Sequence, residues 1–350
     1  MRFYIALLGA VMVGTSIAAP AAKSEAQKPD INVFQYALTV EHLQDKFYRE
    51  GLENYTAADF ATAGFDATVY QNLMEMSKHE SFHVKVITDG LTAAGATPAT
   101  ECTYAFGVST PKDFMMLSSV LEGVGISAYL GATAHFMNKI DLTDAASILT
   151  VEAQHNAYLR SVLGESAFPQ PFVTPLDMDE VTSLTAQFTV ACPSTNPNWP
   201  LKSFPLLQLD PTTPKPITTG ETVKLLTPHD VFVPATNLSQ IYAAFLTVAL
   251  PVFVPATPVP GGFTIVIPQG INGQAYVVLT GCNKLTTDST IDAGPAIMEV
   301  TAVRSGSALQ RRGFWTGVLS SVANSLMFTA ATNGFKYFWN SDASKPPPHR

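Results

Sequence analysis

The chain has 350 residues, of which 47% are apolar and 14% charged, and its formal net charge is −8. So little charge beside so much apolar material excludes a disordered chain, and the acidic balance excludes a basic nucleic-acid footprint. Three cysteines with no CxxC spacing exclude a disulfide-dense scaffold and a zinc finger, while the length suggests two domains of ordinary size.

Residues 1–20 read as a secretory signal peptide. Arg2 supplies the positive start, residues 3–13 a short apolar run, and Ser16-Ile17-Ala18 followed by Ala19-Pro20-Ala21 the small residues for cleavage. The run falls short of the ~20 residues that span a bilayer, so stable membrane insertion is not expected. The expected localisation is extracellular, in an oxidising compartment. Two sequons, at Asn54 and Asn237, fit a secreted glycoprotein. Three cysteines allow three pairings; Cys102 with Cys192 is the one expected, leaving Cys282 free.

Proline placement divides the rest. Residues 31–168 contain two prolines and residues 169–260 contain sixteen, so long helices fit only the first stretch. Residues 30–165 show four helical blocks. Phe34, Leu38, Glu41, Tyr48 and Leu52 share one stripe, and Val69, Leu73, Met76, Glu80, His83, Ile87 and Leu91 another. The third block, residues 111–138, is apolar nearly all round, and the fourth carries Ile148, Glu152, His155 and Leu159 on one face. The link 96–111 holds both early prolines and reaches roughly 50 Å when extended at ~3.3 Å per residue, the length of a bundle. Two antiparallel hairpins joined by a long crossover follow.

Residues 166–204 read as a linker with one helix near 176–190. Residues 205–303 alternate short apolar runs (219–226, 241–254, 263–268, 274–279 and 297–303) with glycine-rich turns, among them Asp292-Ala293-Gly294-Pro295. They predict a small β-sandwich-like domain, so the fold class is α+β: a four-helix bundle followed by a β-rich part. Residues 304–350 form a basic tail in which Trp315, Val318, Leu319, Val322 and Leu326 follow a helical period.

The informative feature is acid on apolar faces. Glu122 is the only charged side chain between Asp113 and Lys139, Glu152 stands alone between Asp144 and Arg160 apart from His155, and Glu41 and Glu80 lie on apolar stripes without Lys or Arg. An unpartnered buried carboxylate costs several kcal/mol or more, and bound cations resolve the conflict. The pattern also repeats. Glu41, Tyr48 and Glu80-Ser81-Phe82-His83 are matched by Glu122, Tyr129 and Glu152-Ala153-Gln154-His155. Positions three apart on a helix are neighbours, so each Glu-x-x-His can ligate one centre. Four carboxylates balance two divalent ions, the ligand set of a bundle-borne di-iron or di-manganese site.

These stretches resemble the ferritin-like family of secreted proteins that includes fungal stress-response and sexual-development proteins and plant desiccation-related proteins. The likeness rests on Ala37-Leu38-Thr39-Val40-Glu41-His42-Leu43, His79-Glu80-Ser81-Phe82-His83-Val84, Leu121-Glu122-Gly123-Val124-Gly125 with Ala128-Tyr129-Leu130-Gly131-Ala132, and Val151-Glu152-Ala153-Gln154-His155. It extends through Phe168-Pro169-Gln170-Pro171-Phe172, Cys192-Pro193-Ser194-Thr195-Asn196-Pro197 and Gly294-Pro295-Ala296-Ile297-Met298-Glu299-Val300, and covers roughly residues 30–303. The resemblance implies a ferritin-like four-helix bundle with a β-rich C-terminal part, and a role in stress response or development.

The expected function is therefore that of a secreted protein with two divalent ions, Fe or Mn, held by Glu41, Glu80, His83, Glu122, Glu152 and His155 and reacting with O2 or peroxide. The alternative is a structural or protective protein without a functional metal. A third reading takes His79-Glu80-Ser81-Phe82-His83 as the H-E-x-x-H signature of a zinc protease, but leaves Glu41, Glu122, Glu152 and His155 unexplained. On the bundle reading His79 supports the site from outside it. Tyr48 and Tyr129 either hydrogen-bond the site or simply pack in the core. His42 and His135 are expected at the surface or behind the ligands, and Asp45 is the reserve ligand to Glu41. Glu122 and Glu152 reach the same level only if the third helix stops short of Asn138, near His135; otherwise they lie about 9 Å apart along the axis at ~1.5 Å per residue.

Overall fold

The computed structural model describes residues 28–197, 200–227 and 240–302. The signal segment, Asn237 and the basic tail lie outside the described residues.

Helices α1 (Lys28–Asn54) and α3 (Ala67–Ala93) pack as one hairpin, and α4 (Pro111–Ala132) and α5 (Lys139–Val162) as the other. Side chains set the starts. Asp66 accepts from the Val69 amide, Asn138 from that of Ile140, and Thr110 from that of Asp113 just after Pro111, each satisfying a donor that the first helical turn leaves open. The short helix α2 (Ala57–Thr62) is not foreseen by the periodicity, because six residues hold too little pattern. It is fixed by a Thr56–Asp59 capping box and drives Phe60 into the end of the bundle against Phe114 and Tyr70.

After Ala132 the chain tightens into a single 3-10 turn, Thr133–His135. Glu122 consequently stands ten residues before the end of α4 and Glu152 thirteen after the start of α5, a difference of about 4.5 Å at ~1.5 Å per residue, half of the expected offset and in the opposite sense.

The crossover from α3 to α4 is held along its length. Gln35 on α1 accepts from the Ala99 amide (2.8 Å) and donates to the Thr97 carbonyl (2.7 Å). Strand β1 (Thr103–Tyr104) pairs antiparallel with β2 (Thr189–Ala191), which follows helix α6 (Met178–Ala186). Cys102 and Cys192 form a disulfide beside this pair, and Cys282 is a free thiol.

The β-rich part contains β3 (Gln208–Leu209), β4 (Ile217–Thr218), β5 (Thr222–Leu226), β6 (Ile241–Phe245), β7 (Val252–Val259), β8 (Gly262–Val266), β9 (Gly273–Thr280) and β10 (Ile291–Thr301). They form one mixed sheet in the order β3-β5-β8-β7-β6-β9-β10-β4, antiparallel except for β10 with β4. The sheet curls because β7 changes partner along its length, pairing with β6 up to Ala256 and with β8 from Thr257. Its inner face closes on Val223, Leu225, Phe245, Ile265, Val277 and Leu279.

Two strand boundaries differ from expectation. The run 241–254 is two strands with a turn between them, and Asp292-Ala293-Gly294-Pro295 is not a turn but part of β10, where the ladder shifts register. Glycine at 294, with φ of +117°, lets the strand continue through this irregularity.

The side chains of β9 alternate. Ala275, Val277 and Leu279 enter the core of the sheet, while Tyr276 and Val278 pack against Val40 of α1, Val124 and Ala128 of α4 and Val181 of α6. Helix α4 thus has protein on both sides, which explains a sequence apolar nearly all round. By length and composition alone it would suffice to cross a membrane, but here that apolar surface is core.

One ion pair joins α5 to the sheet. Arg160, 2% exposed, donates both ends of its guanidinium fork to Glu299 on β10 (2.8 and 2.7 Å) and its Nε to the Ser166 carbonyl (2.7 Å). Truncation leaves the partly buried Glu299 carboxylate without its main partner. We expect Arg160→Ala to lower unfolding stability by about 2 kcal/mol, read from the midpoint shift in urea at unchanged slope.

Candidate metal centre

Each of the four long helices delivers one glutamate to the middle of the bundle, and all four carboxylates are fully buried. Glu41 comes from α1, Glu80 and His83 from one face of α3, Glu122 from α4, and Glu152 and His155 from one face of α5. Their ligand atoms form two groups, each within 4.8 Å: Glu41, Glu80, His83 and Glu152, and Glu80, Glu122, Glu152 and His155. Glu80 and Glu152 belong to both. The two histidines present Nδ1 inward. His83 Nδ1 lies 3.3 Å from Glu41, 3.4 Å from Glu152 and 3.6 Å from Glu80, and His155 Nδ1 lies 3.1 Å from Glu80 and 3.3 Å from Glu122.

The donors fit divalent cations. Both oxygens of Glu80, one each of Glu41 and Glu152, and Nδ1 of His83 are buried without a well-aligned hydrogen bond, although buried polar atoms are as a rule satisfied. Carboxylate and imidazole donors suit Fe, Mn and Zn alike.

The protein's own charges are strained in the absence of an ion. Burial, partly offset by His83, pushes the Glu41 carboxyl up to about 8. Burial, together with Glu152 and Glu80, pushes Glu122 well above the ordinary carboxylate range. For Glu80 burial works in the same direction, but His155 and His83 outweigh it and hold this carboxyl down to about 2. Both imidazoles are raised: burial lowers them, and the surrounding carboxylates overcome it, taking His155 to about 10. Burial thus favours the neutral form of Glu41 and Glu122, and the carboxylates favour the charged form of both imidazoles.

Outer partners fix the ligands crosswise. Tyr48 on α1 donates to Glu122 on α4, and Tyr129 on α4 donates to Glu41 on α1 (2.5 Å). Both tyrosines are buried and also pack in the core, so the two sequence readings of them hold together. His79 is exposed on its helix, yet its Nδ1 meets Nε2 of His155 at 3.0 Å with the rings stacked. His79 and His83 share no ligand group among the described residues, so H-E-x-x-H here does not bring two histidines to one ion. Asp45 is turned away from the cluster toward Arg49 (2.9 Å) and Ser81 (2.5 Å). His42 bonds the Ala99 carbonyl, His135 is exposed, and Asn54 is exposed at the end of α1.

Two contributors escape the sequence reading. Gln44 donates to Glu152 (2.8 Å) and orients one of the two shared carboxylates. Gly125 makes room for it: a Cβ there would stand 2.7 Å from Glu152 Oε2 and 2.9 Å from Gln44 Nε2. The positions correspond, since Gln44 follows Glu41 by three and Gly125 follows Glu122 by three. The available signal was an amide on an apolar stripe and a glycine inside a helix. Second-layer partners of metal ligands typically carry 10–100-fold in affinity. We expect Gly125→Ala to weaken metal binding by at least about tenfold with the helical spectrum unchanged, measured by competition with a chelator.

Residues 29–165 match the family described as "Ferritin-like domain". Protein rds1 of Schizosaccharomyces pombe is 26% identical over 180 residues, which is 51% of this chain and 44% of that protein, so the chain spans less than half of this relative's length. Two solved structures are similar to part of the chain, each with a TM-score of 0.35. One is a conserved hypothetical protein from Mycobacterium tuberculosis (20% identity, 44% of this chain, 100% of that one), and the other belongs to ferritin-like, diiron-carboxylate proteins from Bacillus anthracis (14% identity, 40% of this chain, 99% of that one). The six cluster residues, carried by four helices arranged in two hairpins, fall within the residues, 29–165, that match the ferritin-like domain family.

Proposed function

We propose that the cluster holds two divalent ions, Fe or Mn, and that the loaded protein reacts with O2 or peroxide as a secreted protein of stress response or development. One observation carries this reading: two four-donor groups overlap in Glu80 and Glu152. These two carboxylates would serve both ions, and Glu41 with His83 and Glu122 with His155 would each complete one. Once bound, ions of this kind would supply electrons to O2 or peroxide. The chain's own residues hold and insulate. Tyr48, Tyr129 and Gln44 fix the orientation of Glu122, Glu41 and Glu152, and the fully buried carboxylates keep the ions out of bulk water.

A second reading, a structural or protective protein without a functional metal, draws on the geometry of the two histidines, whose Nδ1 atoms lie among the four carboxylates and can offset them as imidazolium groups. Metal analysis of the purified protein beside Glu80→Ala separates the two. We expect about two ions per chain, lost in the variant, since Glu80 reaches both positions. A folded, metal-free wild type would establish the second reading, and one zinc with peptidase activity would establish the third.

A further inference from the structure

The helices α3 and α5 diverge on the side of the bundle away from the sheet and leave a cavity of about 980 Å³ between them. It follows both helices antiparallel, from His79, His83 and Val151 at the level of the metal cluster to Ala94, Asn138 and Ile140 at the far end. The walls between are Phe34, Val86, Ile87, Leu91 and Ile148. His83 therefore faces two ways: its Nδ1 meets the carboxylates, and the ring closes the inner end of the cavity.

We propose that this cavity is a binding site for one long unbranched hydrocarbon chain, as carried by a fatty acyl or fatty alcohol compound, with the inner end of the chain beside the metal cluster. The shape argues for it. Fifteen residues separate His79 from Ala94, roughly 22 Å of helix at ~1.5 Å per residue, a span that about sixteen to eighteen carbons cover at ~1.3 Å per bond. The volume is that of a site for a single small molecule and is too small for an inserted helix with its side chains, ~10 Å across. The lining is the second argument. Val86, Ile87 and Leu91 on one wall and Ile148 and Val151 on the other form an aliphatic strip, while Lys85 and Asp89, exposed and paired with each other (2.6 Å), and Asp141, Asp144 and Ser147 line the cavity beside it. Along that strip an alkyl chain replaces water and brings no polar group of its own that needs a partner. Phe82 and Ile140, 63% and 50% exposed at the rim, offer further apolar surface.

That the chain is a substrate rests on the metal reading above; that it binds does not. The test is titration of the full protein with a C18 polyene fatty acid whose fluorescence rises on leaving water, in metal-loaded and metal-free samples. Val86→Trp and Ser147→Trp narrow the cavity from opposite walls, at positions that are half-buried and exposed and not among the ligands. We expect saturable binding at about one probe per chain, weakened at least tenfold in each variant, with metal content equal to wild type. Displacement by hexadecanol or by palmitate supports the site, and the stronger competitor identifies the head group. No saturable binding to wild type, or equal binding to both folded variants, overturns the proposal. Probe binding by a protein that holds no metal leaves the cavity assignment standing and removes the metal reading.

Discussion

Four buried carboxylates share one cluster in which, among the described residues, no lysine or arginine takes part. Electrostatic repulsion among them is the constraint that the rest of the bundle answers. Each glutamate sits where its helix is most buried, so none can turn to water. What neutralises them has to be brought in, as metal ions or as protons, and the two histidines are placed between the acids to serve in either case. The tyrosine hydroxyls and Gln44 satisfy one oxygen each on Glu122, Glu41 and Glu152, while both oxygens of Glu80 face only the cluster.

The β-rich part takes a direct share in holding this arrangement. Gln274 donates to the Val120 carbonyl and to Tyr276, and Tyr276 donates to the Gly123 carbonyl. These contacts bracket Glu122 on α4. Gly123 permits them, because a Cβ at that position would stand 2.4 Å from the Gln274 side-chain oxygen. Two glycines two apart thus serve two surfaces of one helix, Gly123 toward the sheet and Gly125 toward the carboxylate cluster. The register of α4, and with it the height of Glu122, is set from outside the bundle.

The helices and the six clustered acid and histidine residues were legible because their signals are local and repeated: a 3.6-residue period, and an acid where that period demands an apolar residue. The crossover length and the scarcity of proline before residue 169 were enough to order the hairpins. What stayed hidden depends on contacts between distant segments. Nothing near Gln44 announces Glu152, and nothing near Tyr48 announces Glu122, 74 positions away. The β boundaries failed for a different reason. Asp292-Ala293-Gly294-Pro295 carries the composition of a turn, and pairing with β9 on one side overrides it. The run 241–254 conceals a turn at 246–251 because Leu246, Val248, Leu250 and Pro251 are apolar themselves, with Val248 and Leu250 left exposed.

The cystine between Cys102 and Cys192 closes a covalent ring 90 residues around. That ring contains α4 and α5, and so half of the ligand set, while Glu41, Glu80 and His83 lie outside it. By the chain-entropy account a closure of this size withdraws roughly 4.6 kcal/mol of freedom from the unfolded chain. The half of the acidic cluster carried by α4 and α5 is thereby held inside one covalent ring, and its stability depends on the redox poise around the chain.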